Sequence, residues 1–456
     1  MKHDNAIKYQ QFCQFKAEIR GSREYLIVGI DVAKDKHHAF FGLATGRTLL
    51  RRLIFKNNRE GFERLFERSR QLQMEHRLSK AVFGLEPTGN YHKPLAQWLL
   101  EQAEHSLSKA VFVVEPTGNY HKPLAHWLLE KEEQLVLASN KSIADNRQSL
   151  DGRWDKNDNK DSANAADLAS QGKCQYLEQP EEDIVELRTL LSLRKRLKKE
   201  AHRMRMQIRN GLVAKHFPEF DRLWGSCLTE NLAIVRWCLD PRKIAAMPFN
   251  DFIRLVTTRD RGQRQVRRLR AIYAVAGVSI GCPMGQAAGF EARQLADRLA
   301  EKGAQLEDVM QRIEQVCRRF ASYRHLRSIP GFGPYVAAVV LATIGDPNRF
   351  RGRRQVIRLA GLDLNAKRSG RHSESAVPVI SKRGNADLRY ALYQAAQIAS
   401  YHNEHFRGLF IRYLKGREKE RGIKTKVRVK LSAKMLVIAW TLMKDNTDFD
   451  PSLLIV

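Results

Sequence analysis

The sequence predicts an α/β domain in the N-terminal part of the chain and a mostly α-helical remainder. Between residues 25 and 178, apolar runs of strand length alternate with segments of helical spacing. Residues 182–215 and 291–320 repeat apolar positions every three or four residues among many charges. From about Tyr323, two helical runs flank a Pro-Gly-Phe-Gly turn. The predicted order is therefore an α/β domain, a coiled-coil-like helical middle and an α-helical C-terminal domain.

The first elements follow from local patterns. Residues 1–24 are polar and lack a clear period, which predicts a loose arm. The runs YLIVGIDVA, HHAFFGLA and TLLRRLIF are rich in β-branched or aromatic residues, which predicts three strands. The next segment, NNREGFERLFERSRQL, has apolar residues on one side of a helix. The α/β domain is predicted to span residues 25–178.

An internal repeat lies within this domain. Residues 75–101 recur almost unchanged as residues 104–130, displaced by 29 positions from Glu75 to Glu104. Solenoids need three or more repeats, so two copies indicate a tandem duplication of one strand–turn–helix unit. We expect one copy to complete the sheet and the other to form a bulky insertion. The sequence does not say which copy does which.

The rest of the chain divides into two predicted regions. Residues 179–322 contain the two long basic helices, which could form an antiparallel coiled-coil arm, and a basic segment between them. Residues 323–456 form the predicted C-terminal domain.

Charge and composition restrict the class of partner. The formal net charge is +29, from 79 Lys and Arg against 50 Asp and Glu, which predicts a polyanionic partner. Ribosomal proteins, nucleases and membrane-surface proteins all satisfy this condition. No apolar run reaches the roughly 20 residues of a membrane span, and no secretion signal is recognisable. The six cysteines form no CxxC pair, which argues against a zinc knuckle or a disulfide framework and favours the cytoplasm.

Carboxylates occur where predicted strands end. Asp31 ends the first strand in GIDVAKDKH, and Glu86 and Glu115 end the apolar run in each copy of the repeat. A cation is a natural neighbour for such groups, because an unpartnered buried carboxylate is costly. Capping of a loop or of the next helix is the alternative, although Thr88 and Thr117 are better placed for helix capping.

A second acidic pair begins a helix. Asp158 and Asp161 are three residues apart in KNDNKDSANAADLA and can therefore face the same way. Interaction with the helix dipole is the ordinary alternative, and Asp155 and Asp167 could replace either residue. Together with the strand-end carboxylates, the pair would supply oxygen ligands that suit Mg²⁺ or Mn²⁺. Two such ions can activate an attacking oxygen and stabilise a leaving one at phosphorus.

The Pro-Gly-Phe-Gly turn resembles a helix-hairpin-helix. Gly331 and Gly333 would let the backbone approach a phosphate at the start of the following helix. Such a hairpin binds nucleic acid without reading its sequence. A plain turn between two helices is the alternative.

A basic segment follows the hairpin. From Arg349 to Arg389 there are 11 Lys and Arg against three acids, a density that favours phosphate contacts over a merely solvated face. Ser369 lies within it, in KRSGRH, where cationic neighbours could assist attack on phosphorus; by itself, Ser-Gly is a common loop dipeptide. The basic residues selected as nucleic-acid contacts are Arg351, Arg353, Arg354, Lys367, Arg368, Arg371, Lys382 and Arg383.

GIDVAKDKH, EPTGNY and KNDNKD, in this order, resemble the DEDD motifs of insertion-sequence transposases related to the Piv/MooV DNA invertases. The resemblance covers most of the chain except the arm and residues 216–290, and it implies an RNase H/RuvC-like fold for the α/β domain. It also implies that Asp31, one of Glu86 and Glu115, Asp158 and Asp161 hold the metal. The family has one strand–turn–helix unit here, so the duplication is a departure that leaves the glutamate undecided.

The resemblance further implies a nucleophilic serine just before a glycine and ahead of an SKRG-like segment. Ser369, ahead of residues 381–384, fits this description, and Ser373 and Ser375 remain alternatives. The implied partners are the DNA of the element ends and target, together with an RNA encoded by the element. A dimer or tetramer is expected, because two DNA ends must be held together, and the two long helices are candidates for assembling it.

The sequence thus leads to a DNA transposase or recombinase in which the metal carboxylates and the serine act in one composite site. Two other hypotheses remain open. One is a RuvC-like nuclease or resolvase that works with metal alone, and the other is an inactive nucleic-acid-binding relic.

Overall fold

The computed structural model describes residues 2–86, 94–95, 98–99, 111–114, 125–126, 134–138, 142–146, 158–177, 180–257, 259, 262–365 and 379–454. The chain divides into two compact units, residues 1–179 and 180–456. The first unit contains a mixed sheet with helices, and the described part of the second is mostly helical. This agrees with the predicted order of an α/β region followed by helices.

The N-terminal segment is a helix, and the prediction of a loose arm was wrong. Helix α1 spans Lys2–Ile19. Phe12, Phe15 and Ile19 are three and four positions apart, so they share one face, and all three are buried against the sheet. Burial of these large side chains holds the helix in place although most of its other residues are polar.

The sheet of the first unit has seven strands. They are β1 Tyr25–Asp31, β2 Lys36–Leu43, β3 Thr48–Lys56, β4 Lys80–Glu86, β5 Val111–Val114, β6 Gln134–Leu137 and β7 Gln175–Tyr176. Their spatial order is β3-β2-β1-β4-β5-β6-β7. Strand β2 is antiparallel to both β1 and β3, the strands β1, β4, β5 and β6 are parallel, and β7 is antiparallel to β6. The three strands predicted at the start of the domain are all present.

Helices cover both faces of this sheet. Helix α2, Arg59–His76, packs on the face to which Leu26, Val28 and Ile30 of β1 point. Tyr25 and Ile27 point to the opposite face, where α1 and helix α3, Asp158–Ser170, contribute to the core. This alternation is the period of two that a strand buried on both faces must show.

Both copies of the repeat supply a strand to the sheet, so the expectation that one copy is an insertion was wrong. Strands β4 and β5 come from the first and second copy and pair in parallel. Their register joins Val82 to Val111 and Phe83 to Phe112, an offset of 29 that equals the displacement of the repeat. Each described residue of β5 therefore lies beside its own counterpart. The two strands can pair in this register because both copies alternate side chains in the same way, so that corresponding residues point to the same face of the sheet.

Two long helices join two hydrophobic cores in the second unit. Helix α4, Glu182–Gln207, continues through a π-helical turn, Ile208–Val213, into the short helix α5, Ala214–His216. It packs against α11, Gln286–Cys317. Ion pairs join Arg319 to Asp183 and Lys302 to Glu200, so the two helices run antiparallel.

The remaining helices pack around these two. Between them lie α6 Pro218–Arg222, α7 Leu228–Trp237, α8 Pro241–Ala245, α9 Phe249–Val256 and α10 Gln263–Ala276. After them come α12 Ala321–Ser328, α13 Pro334–Ile344, α14 Arg353–Leu359, α15 Ala386–His402, α16 Glu404–Leu414 and α17 Ile423–Asp445. A two-stranded hairpin, β8 Leu364–Asn365 and β9 Val379–Ile380, lies between α14 and α15. Residues of α4 and α11 share a core with the helices after residue 320, so the predicted division at residue 322 lies inside one compact unit.

The glycines of the predicted helix-hairpin-helix have different structural settings. Helices α12 and α13 are joined by residues 329–333, in the predicted order of helix, turn and helix. Gly331 has φ +88°, and a Cβ atom there would lie 2.5 Å from the carbonyl oxygen of Ala395 in α15. A Cβ at Gly333 would meet no atom within 4 Å. Gly331 is therefore required for packing against α15, a reason that the sequence argument did not identify.

This difference yields a matched pair of variants. Gly331→Ala is expected to lower the free energy of unfolding by about 2–5 kcal/mol, from a left-handed backbone and a steric clash together. Gly333→Ala has an ordinary φ of −73° and open space, so it should change the stability by less than about 0.5 kcal/mol. Urea unfolding of both variants measures the difference. Equal stability of the two variants would contradict the packing argument.

The helices in the described part of the chain do not combine enough length and apolar character to cross a membrane. All six cysteines are unpaired.

Candidate functional site

The carboxyl edge of the parallel strands brings two of the predicted carboxylate positions together. Asp31 is the last residue of β1, and its register partner on the adjacent parallel strand β4 is Glu86. Adjacent strands lie about 4.8 Å apart. Alternate residues of a strand share one face of the sheet, so position 31 shares a face with Tyr25 and Ile27 of β1. Position 86 likewise shares a face with Val82 of β4. Both positions therefore belong to the face of the sheet that α3 covers.

The two copies of the repeat differ in their distance from Asp31. Glu86 ends the strand that pairs with β1, whereas the second copy contributes β5, which pairs with β4. Glu115 lies outside the described residues, directly after Val114, and Val114 is the register partner of Leu85. The second copy is thus one strand further from β1 than the first.

Helix α3, whose first turns include positions 158 and 161, lies on the same face of the sheet. It packs against β1, β2 and β4. Just beyond its C-terminal end, Gly172 lies against the backbone of Lys16, in the last turn of α1. The Glu18 carboxylate in that turn accepts hydrogen bonds from the Tyr25 hydroxyl and the Lys80 ammonium, at the starts of β1 and β4. The C-terminal end of α3 is therefore at the amino edge of the parallel strands.

The opposite end of α3 consequently extends toward the carboxyl edge. The 13 residues of α3 and the seven residues of β1 each extend over about 20 Å. Asp158 begins the helix and Asp161 lies one turn later. The N-terminal end of the α3 backbone is thus directed toward the edge of the sheet where β1 ends at Asp31, on the same face. The side chains of Asp158, Asp161 and Glu86 lie outside the described part, as does Asp155.

Asp167, an alternative to the predicted pair, has a structural role. Its carboxylate accepts hydrogen bonds from the side-chain amides of Asn146 and Gln171, each at 2.7 Å. It lies nine residues beyond Asp158, about 13 Å further along the helix axis toward the amino edge. The hydrogen bond from Asn146 ties α3 to residues 142–146.

Two adjacent histidines on β2 have opposite environments. His37 is buried among Phe55 and Phe62 on the α2 side, where burial lowers the pKa of its imidazole and favours the neutral form. His38 is the antiparallel register partner of Asp31 and belongs to the α3 side. Its Nδ1 atom is buried and has no hydrogen-bond partner among the described residues.

His38 is thus a neighbour of Asp31 that the motif argument missed. The available signal was its position in KDKHH, at the start of a strand antiparallel to the one that ends at Asp31. Among the described side chains, no group of three or more His, Cys, Asp or Glu residues could hold a metal ion. Asp31 is the one predicted ligand whose side chain is within that set.

In the second unit, described basic residues of the predicted segment lie on an exposed surface. Arg353 and Arg354 form the first turn of α14, and Lys382 and Arg383 follow β9. Hydrogen bonds from the Lys382 and Asn385 amides to the carbonyls of Gly361 and Leu359 hold the 381–385 loop against the end of α14. The described members of the predicted nucleic-acid contacts are exposed and form no ion pair with another described residue: Arg351, Arg353, Arg354, Lys382 and Arg383.

The β8–β9 hairpin brackets the predicted serine segment. The Ser381 hydroxyl donates a hydrogen bond of 2.6 Å to Asp363, which joins the two strands at their base. Ser369, Ser373, Ser375, Lys367, Arg368 and Arg371 belong to residues 366–378, outside the described residues. The hairpin therefore fixes where this segment leaves and re-enters the helical unit.

Comparison with known proteins identifies the family. A family model described as "Transposase IS116/IS110/IS902 family" matches residues 323–410. A second model, described as "Transposase" and belonging to the DEDD type of the IS110 group, matches residues 28–107 and 96–218. Together the matches cover more than half of the chain.

The chain belongs to the IS110/IS116 family of transposases.

Curated relatives of this IS110/IS116 transposase align over part of their length. A "Probable family 20 transposase" of Pseudomonas aeruginosa is 27% identical over 197 residues, which cover 43% of this chain and 56% of that protein. A "Pilin gene-inverting protein" of Moraxella lacunata is 27% identical over 130 residues, 27% of this chain and 38% of that protein. The chain thus spans about half the length or less of these two relatives.

A longer alignment is found with an insertion element IS110 protein of Streptomyces coelicolor. It is 26% identical over 306 residues, 65% of this chain and 72% of that protein. The mixed sheet of the first unit and the helices of the second fit a DEDD, RNase H-like transposase of the IS110/IS116 family. The two pieces of the N-terminal match overlap at residues 96–107, where one copy of the repeat gives way to the next.

Proposed function

We propose that this protein is a DNA transposase that cuts and rejoins DNA for the mobility of an insertion sequence, using metal-binding carboxylates and a serine nucleophile. The register pair of Asp31 and Glu86, on the sheet face covered by α3, is the observation that carries the proposal. The family match and the +29 charge support DNA as the substrate.

The residues at this edge suit a hard divalent cation. Asp31, Glu86, Asp158 and Asp161 all offer carboxylate oxygens, the ligands that Mg²⁺ and Mn²⁺ prefer over softer donors. We assign the glutamate role to Glu86, since its strand adjoins β1, whereas Glu115 comes from the next strand out. When bound, the metal supplies Lewis-acid stabilisation of charge on the oxygens at phosphorus.

The serine supplies the covalent step. The Ser369 hydroxyl oxygen attacks a DNA phosphorus, a bond from that phosphorus to a deoxyribose oxygen breaks, and the serine proton passes to the leaving oxygen. A hydroxyl of another DNA strand then attacks the phosphoserine, which releases the serine and joins the strands. Arginines on the exposed basic surface, such as Arg353 and Arg383, would neutralise phosphate charge.

The proposal includes two further partners. An RNA encoded by the element would choose the target, and a structured non-coding segment beside the gene supports this part, whereas its absence contradicts it. A homodimer or homotetramer would hold two DNA ends, and light scattering of the purified protein on DNA measures its size.

The duplicated repeat provides the experiment that tests the metal edge. Glu86→Gln is expected to reduce Mg²⁺-dependent strand joining by at least about a hundredfold, because a lost metal ligand removes several kcal/mol of stabilisation. Glu115→Gln removes the same charge from an almost identical segment and should change the rate by less than about threefold. Strand joining on DNA that carries the element ends is measured for both variants, with EDTA as the metal-free control.

Four results would contradict this assignment. A larger loss in Glu115→Gln than in Glu86→Gln would mean that the second copy supplies the ligand. Full activity of both variants, or activity of the unaltered protein in EDTA, would remove the metal mechanism. Absence of joining by the unaltered protein in Mg²⁺ and in Mn²⁺ would indicate an inactive relic.

A further inference from the structure

A basic groove lies between the antiparallel helices α4 and α11, within the second unit. Its cavity volume is about 580 Å³. Arg194, Lys198, His202 and Arg205 of α4 line one side, and Leu306 and Met310 of α11 contribute apolar surface. This feature, called the α4–α11 groove below, lies outside the predicted basic segment at 349–389.

The basic side chains of the groove share one face of α4. At 100° per residue, positions 194, 198, 202 and 205 fall within about 80° of the helix circumference. From Arg194 to Arg205 they span about 16 Å along the helix axis, at a rise of 1.5 Å per residue. A row of that length suits an extended polyanion better than a single small anion.

The basic side chains of the groove lack anionic partners among the described residues. None of the four forms a salt bridge with a described residue, and Glu307, also in the lining, has none either. The Nε atoms of Arg194 and Arg205 are buried without a hydrogen-bond partner among the described residues. Basic side chains without anionic neighbours repel one another, so an external polyanion would stabilise the row.

One of these arginines is held in place by an aromatic ring. The Arg194 guanidinium lies 4.0 Å from the centre of the Tyr335 ring, at the start of α13. Its position is therefore fixed before any ligand binds. The described lining of the groove contains no Phe, Tyr or Trp ring on which an unstacked base could stack. This favours contact with a nucleic-acid backbone over recognition of bases.

We infer that the α4–α11 groove binds the phosphate backbone of duplex DNA. Each strand of B-DNA carries a phosphate every 3.4 Å of helix axis, so a backbone running along the groove offers several acceptors to the basic row. The groove would hold DNA without reading its sequence. The inference rests on the proposed function only in taking DNA as the substrate, and it requires no cleavage.

A charge-matched pair of variants tests this inference. The groove variant combines Arg194→Gln, Lys198→Gln and Arg205→Gln, and the control variant combines Arg196→Gln, Lys199→Gln and Arg203→Gln. The control residues are exposed, lie on the opposite face of the same helix and carry the same total charge. Both triples are placed in the Asp31→Asn protein without divalent metal, so that binding is measured apart from strand cleavage.

The measured quantity is the Kd for a DNA duplex of about 30 base pairs over a range of salt concentrations. The groove variant is expected to bind at least about tenfold more weakly, with a slope of log K against log salt reduced by about 2–3. The control variant should lose less than about threefold. Equal losses in the two variants, no loss in the groove variant, or a loss confined to an RNA duplex of equal length would overturn the inference.

Two single variants keep the test valid if the groove triple unfolds. Lys198 and Lys199 are both exposed, so Lys198→Glu and Lys199→Glu should fold alike. Weaker DNA binding by Lys198→Glu than by Lys199→Glu supports the groove, and equal binding overturns it. DNA binding through the groove in a protein that never joins strands would leave this inference intact and contradict the proposed function alone.

Discussion

Asp31→Asn is expected to lower the rate of strand cleavage by at least about a thousandfold, since it removes the charge of a proposed metal ligand at the carboxyl edge. Asp31 ends β1 between two register partners, Glu86 on β4 and His38 on β2. The substitution preserves the shape of the side chain and removes its charge. The fold should persist, because Asp31 is at a strand end and the apolar residues of β1 hold the core.

Asp35→Asn is the matched control for this variant. Asp35 is exposed in the turn between β1 and β2, four residues from Asp31, and the same isosteric change there should leave the rate within about twofold. Cleavage of end-labelled element DNA in Mg²⁺ measures both variants, and their melting temperatures check the fold. Unchanged cleavage by Asp31→Asn would contradict enzymatic use of this edge.

Ser369→Ala is expected to abolish strand joining, with a loss of at least about ten-thousandfold, because the proposed mechanism assigns the covalent link to phosphorus to this hydroxyl. The variant should still bind DNA as tightly as the unaltered protein, since a serine hydroxyl carries no charge. The direct measurement is the protein–DNA adduct, seen as labelled DNA that migrates with the denatured protein.

Ser373→Ala and Ser375→Ala serve as controls within the same segment. Both should form the adduct and join strands at near-normal rates. Joining by Ser369→Ala would contradict the serine mechanism and favour the metal-only nuclease. An adduct lost in Ser373→Ala or Ser375→Ala, but kept in Ser369→Ala, would transfer the nucleophile to that residue.

The strands of the first unit could be predicted because their patterns are local. YLIVGID and its neighbours combine β-branched residues with the turn KDK, and the structure has β1, β2 and β3 where these runs lie. Helix α1 was missed because only Phe12, Phe15 and Ile19 indicate its buried face, and polar residues surround them. Its stability depends on packing against the sheet, which propensity does not report.

The choice between the two glutamates could not be made from the motif, because EPTGNY occurs identically in both copies. The proposed choice of Glu86 rests on strand order, which depends on long-range pairing. One signal was present in the sequence. Gly84 of the first copy is the register partner of Gly29 and belongs to the α3 side, whereas the second copy has Val113 at that position. A glycine at this position of the strand allows a helix to pack closely against the sheet.

The packing role of Gly331 and the proximity of His38 to Asp31 also could not be predicted from the sequence. The need for glycine at position 331 arises from its contact with Ala395 of α15, which lies more than 60 residues later in the chain. His38 depends on the register of an antiparallel pair, and a shift of one residue would place His37 beside Asp31 instead. Both are properties of tertiary geometry rather than of local pattern.

Because each described residue of β5 pairs with the residue that it duplicates, the sheet of this transposase can grow by whole strand–turn–helix units without losing its hydrogen-bond register. Growth of this kind moves β6 one strand spacing, about 4.8 Å, away from β1 and leaves β1, β2 and β4 as neighbours. The two copies already differ at Arg77 and Ser106, Gly84 and Val113, Leu85 and Val114, and Gln97 and His126, all outside EPTGNY. The gene thus carries a second version of the segment that includes the proposed glutamate ligand, and substitutions in this second copy leave the pairing of β4 with β1 unchanged.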